Sequence, residues 1–270
     1  MARPNGFLAA IACATLVGCS GVLPTSAPAT HEVLLSLHAT DTTQHIAQGL
    51  ASRYRLASEG VSFSISASNH SSLLQSLEEG KVSYFVTGQL PTSTTQPLWA
   101  APLGQDGIGI VVNPRNPITS LSRTAIRNIY AGSITNWAEL GGPDLPIVVF
   151  SREDGADIRD TFERLIMGDK RTTPNALLVT SVRATLQEVY ATPGAIGYLP
   201  LSLLTADVRA VSVDTVSPTL ANVAANVYPL RTTLYVVGRT EPEKEYRDLF
   251  GWVQSPAGQE MMATLAAPIP

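Results

Sequence analysis

Cysteine is almost absent from this chain. The only two cysteines among the 270 residues are Cys13 and Cys19, and both lie near the N-terminus. The rest of the chain therefore has no thiol for a disulfide, a metal site or a nucleophile. Cysteine-based chemistry is excluded for everything that follows residue 19.

Positive charge is also scarce. The chain has 18 Lys and Arg against 22 Asp and Glu, a formal net charge of -4, and its basic residues form no run. A protein that holds a nucleic-acid backbone needs a concentrated basic face. We therefore expect no nucleic-acid partner. The hydrophobic content of 44% and charged content of 15% are those of an ordinary globular protein.

Signature motifs of common enzymes and metal sites are missing too. The sequence has no G-x-S-x-G elbow, no Walker loop and no CxxC, HxH or HExxH spacing. Its four histidines all lie in the first third of the chain, at His31, His38, His45 and His70. A metal site formed by the last three is a weak alternative, because they fall in different predicted elements. We expect no catalytic activity, no cofactor and no metal.

The N-terminus has the pattern of a bacterial lipoprotein leader. A short apolar stretch, FLAAIACATLV (7–17), runs into LVGC (16–19), which matches the lipoprotein cleavage box. The stretch is too short to span a bilayer as a mature helix. We predict a signal peptide over 1–18, a lipidated Cys19 and a tether over 19–32 that is rich in Ser, Thr, Pro and Ala. An ordinary secretory leader is the alternative.

From Glu32 onward, strand and helix patterns alternate. The strand-like segments EVLLSLHA, VSFSISAS and VSYFVTG are separated by segments with helical spacing. This order favours a parallel sheet with covering helices. GIGIVVNPRNP then predicts a strand that ends in a Pro-rich turn, where a domain crossing is plausible. The second half repeats the pattern and ends in a strong strand, LRTTLYVVGR, and a mostly helical C-terminal segment.

Five phrases together resemble the phosphate-binding lipoproteins that serve bacterial ABC importers. They are IRNIYAGSITNWAEL (126–140), FSREDGADIRDTFERLI (150–166), PGAIGYLPLSLL (193–204), YPLRTTLYVV (228–237) and GWVQSPAGQEMM (251–262). The resemblance runs from about residue 33 to 265 in consistent order. It implies an α/β fold of the two-lobe periplasmic-binding-protein type, each lobe a mostly parallel sheet flanked by helices, with two crossing hinge segments. Lobe 1 would be 33–110 plus 226–270, and lobe 2 would be 111–225.

The resemblance also implies a function. Such a protein is an extracytoplasmic, lipid-anchored solute-binding protein that captures a small anion, phosphate in the family, by closing a hinge. The implied partners are an ABC permease and the membrane, reached through lipidated Cys19, and the expected state is a monomer. The alternative is a degenerate relative with a sensory or protein-interaction role, or one that binds a different ligand.

An anion held without a matching cation needs backbone N–H groups at helix N-termini and nearby hydroxyls. Two loops, HATDTT (38–43) and SASNHSS (66–72), and the segment VTG (86–88) carry such donors. The candidate ligand-binding residues there are Thr40, Thr42, Thr43, Ser68, Asn69, Ser71 and Thr87. On the first loop, Asp41 or Thr42 would alternatively cap the helix that follows.

The third candidate loop, SREDGADIR (151–159), departs from the family pattern. It keeps Arg152, Gly155 and Arg159, but Ala156, Asp157 and Ile158 replace a Ser-Gly-Thr triplet. A carboxylate 4 Å from a bound anion repels it by roughly 4 kcal/mol per charge pair at an effective dielectric constant of 20.

Two roles for Asp157 remain open. Asp157 either caps the following helix, or it contacts, together with Arg152, a ligand that bears a hydrogen-bond donor or a positive group. Gly88 also departs from the family, since it stands where the family has an Asp that accepts a hydrogen bond from protonated phosphate. Both departures bear on whether phosphate is the ligand.

Overall fold

The structure, a computed structural model, describes residues 32–91, 94 and 96–269, all within one compact unit, Glu32–Pro270. The strands in this part of the chain are β1 (Val33–Ala39), β2 (Val61–Ala67), β3 (Tyr84–Thr87), β4 (Trp99–Val112), β5 (Ser120–Leu121), β6 (Val148–Arg152), β7 (Leu177–Val179), β8 (Ala195–Pro200), β9 (Arg209–Ala210), β10 (Ser212–Val213) and β11 (Arg231–Gly238). The predicted signal peptide, lipidation site and tether lie outside the described residues, apart from Glu32.

The α-helices of the described part alternate with these strands. They are α1 (Gln44–Ala57), α2 (His70–Glu78), α3 (Arg123–Tyr130), α4 (Asp157–Phe162), α5 (Val182–Ala191), α6 (Leu220–Ala224), α7 (Lys244–Gln254) and α8 (Pro256–Met262). In the described residues, no helix is both long enough and apolar enough to cross a bilayer.

Local sequence signals explain where several helices begin and end. Asn69 caps α2, because its side chain accepts a hydrogen bond from the Ser71 N–H at 3.0 Å. The predicted helix DIRDTFERLIMG is interrupted: α4 ends at Phe162 and continues as a π-helical turn, Glu163–Met167. The C-terminal helical segment is broken at Ser255, where Pro256 starts α8.

One mixed sheet runs through the described part in the order β2-β1-β3-β11-β4-β8-β6-β7, with β9 paired to β4. The pairs β1–β2, β1–β3, β6–β7 and β6–β8 are parallel, as the alternating pattern predicts. Between these parallel groups lie β11 and β4, which pair antiparallel with each other and with their other neighbours. The long β4 thus connects the two parallel groups.

Each parallel group packs into its own apolar core. The first core includes Leu37, Ile46 and Val236, and the second includes Trp137 and Phe162. This is the two-lobe α/β architecture that the resemblance implies, while the exact limits of the two lobes remain a prediction. Strands β1, β3 and β6 end at loops that approach one another, and the carboxyl ends of strands are where ligands bind in open α/β sheets.

Candidate functional site

The carboxylate of Asp157 is the centre of a shell of hydrogen-bond donors. Asp157 is 1% exposed and begins α4, which packs in the second core. Thr40 and Thr42 follow β1, which packs in the first core. The hydroxyl of Thr40 donates to Asp157 Oδ2 at 2.8 Å, and the hydroxyl of Thr42 lies 2.9 Å from both carboxylate oxygens. One carboxylate therefore joins loops from the two lobes.

The end of β3 supplies further donors to the same carboxylate. The Gly88 N–H donates to Asp157 Oδ2 at 3.0 Å, and the Thr87 hydroxyl reaches the same oxygen at 3.3 Å. On the other side, the Ile158 N–H donates to Asp157 Oδ1 at 2.8 Å. The Gly88 carbonyl in turn accepts from the Thr232 hydroxyl at 2.8 Å, which fixes this segment to β11. Hydroxyl and backbone donors thus surround the carboxylate, and among the described residues no Lys or Arg forms an ion pair with it, which is the arrangement expected of an anion receptor.

The first loop is held in shape by Thr43. Thr43 is the N-cap residue of α1, and its hydroxyl donates to the Val86 carbonyl at 2.7 Å and accepts from the Thr40 N–H at 3.1 Å. The alternative that Asp41 or Thr42 caps α1 is therefore wrong. Thr43 takes the N-cap position without a side-chain capping hydrogen bond, and the Thr42 hydroxyl bonds Asp157.

Asp157 is not the cap of its own helix either. Ala156 occupies the N-cap position and Asp157 is the first helical residue. Its carboxylate accepts only one N–H of the first turn, that of Ile158, and its other hydrogen bonds go to the loops of the first lobe. The hypothesis that Asp157 is the N-cap residue of α4 is thus wrong, because Ala156 holds that position. Most hydrogen bonds of Asp157 instead join the two lobes.

Arg152 does not face the Asp157 carboxylate. Its guanidinium, on a residue that is 2% exposed, pairs with Glu153 at 3.1 Å and with Asp41 Oδ1 at 3.0 Å, and also bonds the Val179 carbonyl. The second oxygen of Asp41 accepts from the Val182 N–H at the start of α5, at 3.0 Å. Asp41 and Arg152 therefore form a second connection between the first-lobe loop and the second lobe.

Arg159 also points away from the Asp157 carboxylate. It donates to the Arg152 carbonyl at 2.9 Å and pairs with Asp154 at 2.6 Å and Glu163 at 3.0 Å. Both arginines of the predicted site thus support the backbone of the third loop. Neither reaches the donor shell by a hydrogen bond or an ion pair.

The second predicted loop contacts the third loop through its backbone. The Ser71 N–H donates to the Gly155 carbonyl at 3.2 Å, and the Asn69 side chain donates to the Asp154 carbonyl at 3.3 Å. Gly155 has φ +79°, and a Cβ there would lie 2.5 Å from Ser71 Oγ, so glycine is required at this contact. Ser68 is exposed and its N–H bonds the Ala39 carbonyl.

The histidines of the first lobe do not meet. His38 Nδ1 lies 2.7 Å from Ser66 Oγ, His70 Nδ1 lies 2.9 Å from Thr87 Oγ1, and both ring nitrogens of His45 are buried without a partner. Burial lowers the pKa of His70, an effect that the nearby charge of Asp157 opposes. In the described part of the chain, no group of three or more His, Cys, Asp or Glu is placed to hold a metal ion.

A small cavity lies under the donor shell. Its volume of about 20 Å³ is room for about one water molecule. It is lined by Thr42, Thr43, Gly88, Asp106, Gly107, Ile108, Asp157, Ile158, Thr161, Pro200, Thr232 and Leu234. With the Asp157 side chain in its present place, the cavity has no room for a tetrahedral oxyanion.

Asp106, on β4, is a buried carboxylate of this cavity that the sequence reasoning missed. It accepts hydrogen bonds from the Gly107 N–H at 2.7 Å, the Ser202 hydroxyl at 2.5 Å and the Ser202 N–H at 3.2 Å. Burial raises the pKa of Asp106 to about 6, although these hydrogen bonds oppose the shift. The sequence signal was available, because Asp106 is the single charged residue in a mostly apolar strand.

Similarity to known proteins agrees with this architecture. Residues 24–257 match a family model described as a PBP superfamily domain. The phosphate-binding protein PstS of Bacillus subtilis is 32% identical over 165 residues, which cover 61% of this chain and 55% of that protein. The phosphate-binding protein PstS 2 of Streptococcus pneumoniae is 30% identical over 43% of each chain. The chain thus spans only about half the length of these curated relatives.

Solved structures extend the similarity to nearly the whole chain. A putative phosphate ABC transporter substrate-binding protein with bound phosphate from Clostridium perfringens has a TM-score of 0.82 at 28% identity, covering 88% of this chain and 100% of that one. An ABC-type phosphate transport receptor from Vibrio cholerae has a TM-score of 0.73 at 24% identity, covering 87% and 100%, which supports the fold alone. The predicted two-lobe α/β fold is confirmed.

Proposed function

This chain belongs to the PBP superfamily, and we propose that it is the solute-binding protein of an ABC importer, of the phosphate-binding type. It captures a small anion between its two lobes outside the cytoplasm and presents the closed form to a permease. Support comes from relatives that are named as phosphate-binding and substrate-binding proteins of transporters, which bind a solute rather than convert it. The proposal includes a lipid anchor on Cys19 and a monomeric state.

The donor shell around Asp157 is the observation that carries this proposal. Hydroxyls of Thr40 and Thr42 and the N–H groups of Gly88 and Ile158 converge on one anionic group. Donors of this kind stabilise an anion because they lie at helix N-termini and strand ends, where unpaired N–H groups point outward. The shell is formed by loops of both lobes, so an anion held there favours the closed form.

Asp157 is the resident anion of this shell and competes with any anion from solution. Phosphate enters the shell only when the Asp157 carboxylate leaves it, because the two charges would repel by roughly 4 kcal/mol per pair at 4 Å and an effective dielectric constant of 20. We therefore expect weak binding of inorganic phosphate by the unchanged chain. Four of the candidate site residues act in the shell itself: Thr40, Thr42, Thr87 and Asp157. Six others hold the loops of the shell in place: Thr43, Asn69, Ser71, Arg152, Gly155 and Arg159. Ser68 remains a candidate ligand contact.

Isothermal titration with phosphate tests this function. The Asp157→Gly variant removes the competing carboxylate, and we expect it to bind phosphate at least tenfold more tightly than the unchanged chain. Asp157→Asn is the matched control, because it removes the charge but keeps a side chain of the same size in the shell. The affinity for phosphate should therefore rise more in Asp157→Gly than in Asp157→Asn. If phosphate binds to neither variant, anion capture in this shell is wrong.

A second candidate function follows from the closed state of the lobes. The carboxylates of Asp157 and Asp41 already connect the two lobes through Thr40, Thr42 and Arg152. A chain that closes on its own side chains would present the closed form without a solute, which suits a sensory or protein-interaction role. Closure that does not change on addition of any anion, in either the unchanged chain or Asp157→Gly, would favour this candidate.

A further inference from the structure

A larger cavity adjoins the Asp157 shell on its outer side. Its volume is about 660 Å³, within the range of roughly 300–1,000 Å³ typical of small-molecule sites. It shares Gly88 and Thr232 with the small inner cavity. Its walls come from the end of β3, from β4 and β11, and from α4 with the π-helical turn that follows it. Both lobes therefore contribute to it.

Two arginines of this cavity have no acidic partner. Arg164 and Arg231 line the cavity, and among the described residues no carboxylate lies within ion-pair distance of either. Arg231 makes one long hydrogen bond, to the Tyr228 carbonyl at 3.4 Å. A guanidinium is a planar fork of donors that matches carboxylate and phosphate oxygens. Both residues are exposed, and two such groups on one cavity fit a ligand with two negative charges.

Uncharged polar groups on the same walls also lack partners. The amide oxygens of Gln89 and Gln105 are buried and make no hydrogen bond within the described part of the chain. A buried amide without a partner costs free energy, and it can turn either its oxygen or its NH₂ to a ligand. Asp160 lines the same cavity and adds an acceptor. These groups match hydroxyl or amino groups on the ligand.

The two cavities differ in the charge that they offer. The inner cavity is lined by the carboxylates of Asp106 and Asp157 and by no basic side chain. The outer cavity is lined by Arg164 and Arg231 against the single carboxylate of Asp160. While the Asp157 carboxylate occupies the shell, an anion from solution is therefore repelled from the inner cavity and attracted to the outer one.

We propose that the outer cavity is a further ligand site of this chain, beside the Asp157 shell, and that it takes a small organic dianion, a phosphate ester or dicarboxylate, that carries a hydroxyl or amino group. The dianion lies against Arg164 and Arg231, and the donor groups of the ligand meet Asp160, Gln89 and Gln105. This inference rests on the proposed solute-binding function and names its ligand class. Inorganic phosphate is too small to span the cavity and make both sets of contacts.

Isothermal titration of the purified chain with glycerol 3-phosphate, malate and inorganic phosphate, in low salt at pH 7.5, tests the site. We expect at least one of the two organic probes to bind more tightly than inorganic phosphate. Arg164→Gln and Arg231→Gln should each weaken that binding by about tenfold, the loss of one charge-assisted hydrogen bond. Arg55→Gln, which removes an exposed charge on α1 away from the cavity, is the matched control and should leave the affinity unchanged.

The outcomes separate this inference from the function on which it rests. If neither organic probe binds while Asp157→Gly binds inorganic phosphate, the outer-cavity inference is wrong and the anion-capture function stands. If an organic probe binds equally to the unchanged chain, Arg164→Gln and Arg231→Gln, the outer cavity is not its site. If no probe binds to the unchanged chain and phosphate does not bind to Asp157→Gly, both are wrong.

Discussion

Thr40 Oγ1 donates a 2.8 Å hydrogen bond to Asp157 Oδ2, although the two residues are 117 positions apart in the chain. The threonine belongs to the loop after β1 and the aspartate to the start of α4, so the bond joins the two lobes at the cleft. It places a negative group of the protein itself where hydroxyl and backbone donors converge.

Replacing Thr42 by valine should destabilise the protein through Asp157. The Thr42 hydroxyl lies 2.9 Å from both carboxylate oxygens, and both residues are buried. Valine keeps the shape and removes the donor, which leaves the carboxylate less well satisfied. We expect the free energy of unfolding in urea to fall by about 1–3 kcal/mol.

A double-mutant cycle tests whether Asp157 is the group that needs the Thr42 hydroxyl. In an Asp157→Gly background, Thr42→Val should cost much less, because the carboxylate that needs the donor is gone. Thr185→Val is the control: Thr185 is also buried, but its hydroxyl donates to the carbonyl of Ser181, the N-cap residue of α5. Its cost should be the same in both backgrounds, and equal costs for Thr42→Val in both would contradict the account.

Asp41→Asn should weaken the second connection between the lobes. Asp41 accepts from the buried guanidinium of Arg152 at 3.0 Å and from the Val182 N–H at 3.0 Å. Loss of one charge-assisted bond to a buried arginine should lower the free energy of unfolding by about 1–2 kcal/mol. Small-angle X-ray scattering should show a larger radius of gyration if this contact holds the lobes closed.

The matched control for Asp41→Asn is Asp248→Asn. Asp248 is an exposed aspartate on α7 that makes no ion pair in the described part of the chain. Its free energy of unfolding should change by less than about 0.5 kcal/mol, as is usual for surface positions. An unchanged radius of gyration in Asp41→Asn would show that this pair does not govern closure.

His45 should make the stability depend on pH. Burial lowers the pKa of His45 to about 4, from 6.5 in the unfolded chain. Between these values the unfolded chain binds more protons than the folded chain, so stability falls as the pH drops from about 6.5 to about 4. The expected loss is about 2–3 kcal/mol. His45→Leu should lose this part of the pH dependence in urea unfolding curves.

His45→Leu should also raise stability at pH 7.5, because both ring nitrogens of His45 are buried without a partner in the described structure. His45→Gln separates the two effects, since it removes the titration but keeps a polar group. Comparing each variant with the parent cancels other titrating groups, such as Asp106. A pH slope that is identical in the parent and both variants would show that His45 titrates normally.

Much of the secondary structure could be predicted from the sequence. Strand β1 and helix α1 lie where an apolar run and helical spacing placed them, because these patterns are long and regular. The π-helical turn over Glu163–Met167 could not be predicted, since its residues keep helical spacing while their hydrogen bonds change register. The antiparallel pairing of β4 and β11 depends on contacts far apart in sequence.

The site could be predicted only in part. Thr40, Thr42 and Asp157 were each singled out by residue type and position, but their mutual contact depends on how the lobes close. Local sequence therefore left the role of Asp157 open between a helix cap and a ligand contact. Arg152 was expected in the site and instead bonds Asp41, because a fully buried guanidinium needs carboxylate partners close to it.

The central claim is that Asp157 occupies the position of an anion in the donor shell. The most direct measurement is a crystal structure of the Asp157→Gly variant grown with phosphate. We expect a phosphate with oxygens within about 3 Å of Thr40 Oγ1, Thr42 Oγ1 and the Gly88 N–H. Phosphate bound away from these donors, or threonine hydroxyls that turn to other protein groups, would contradict it.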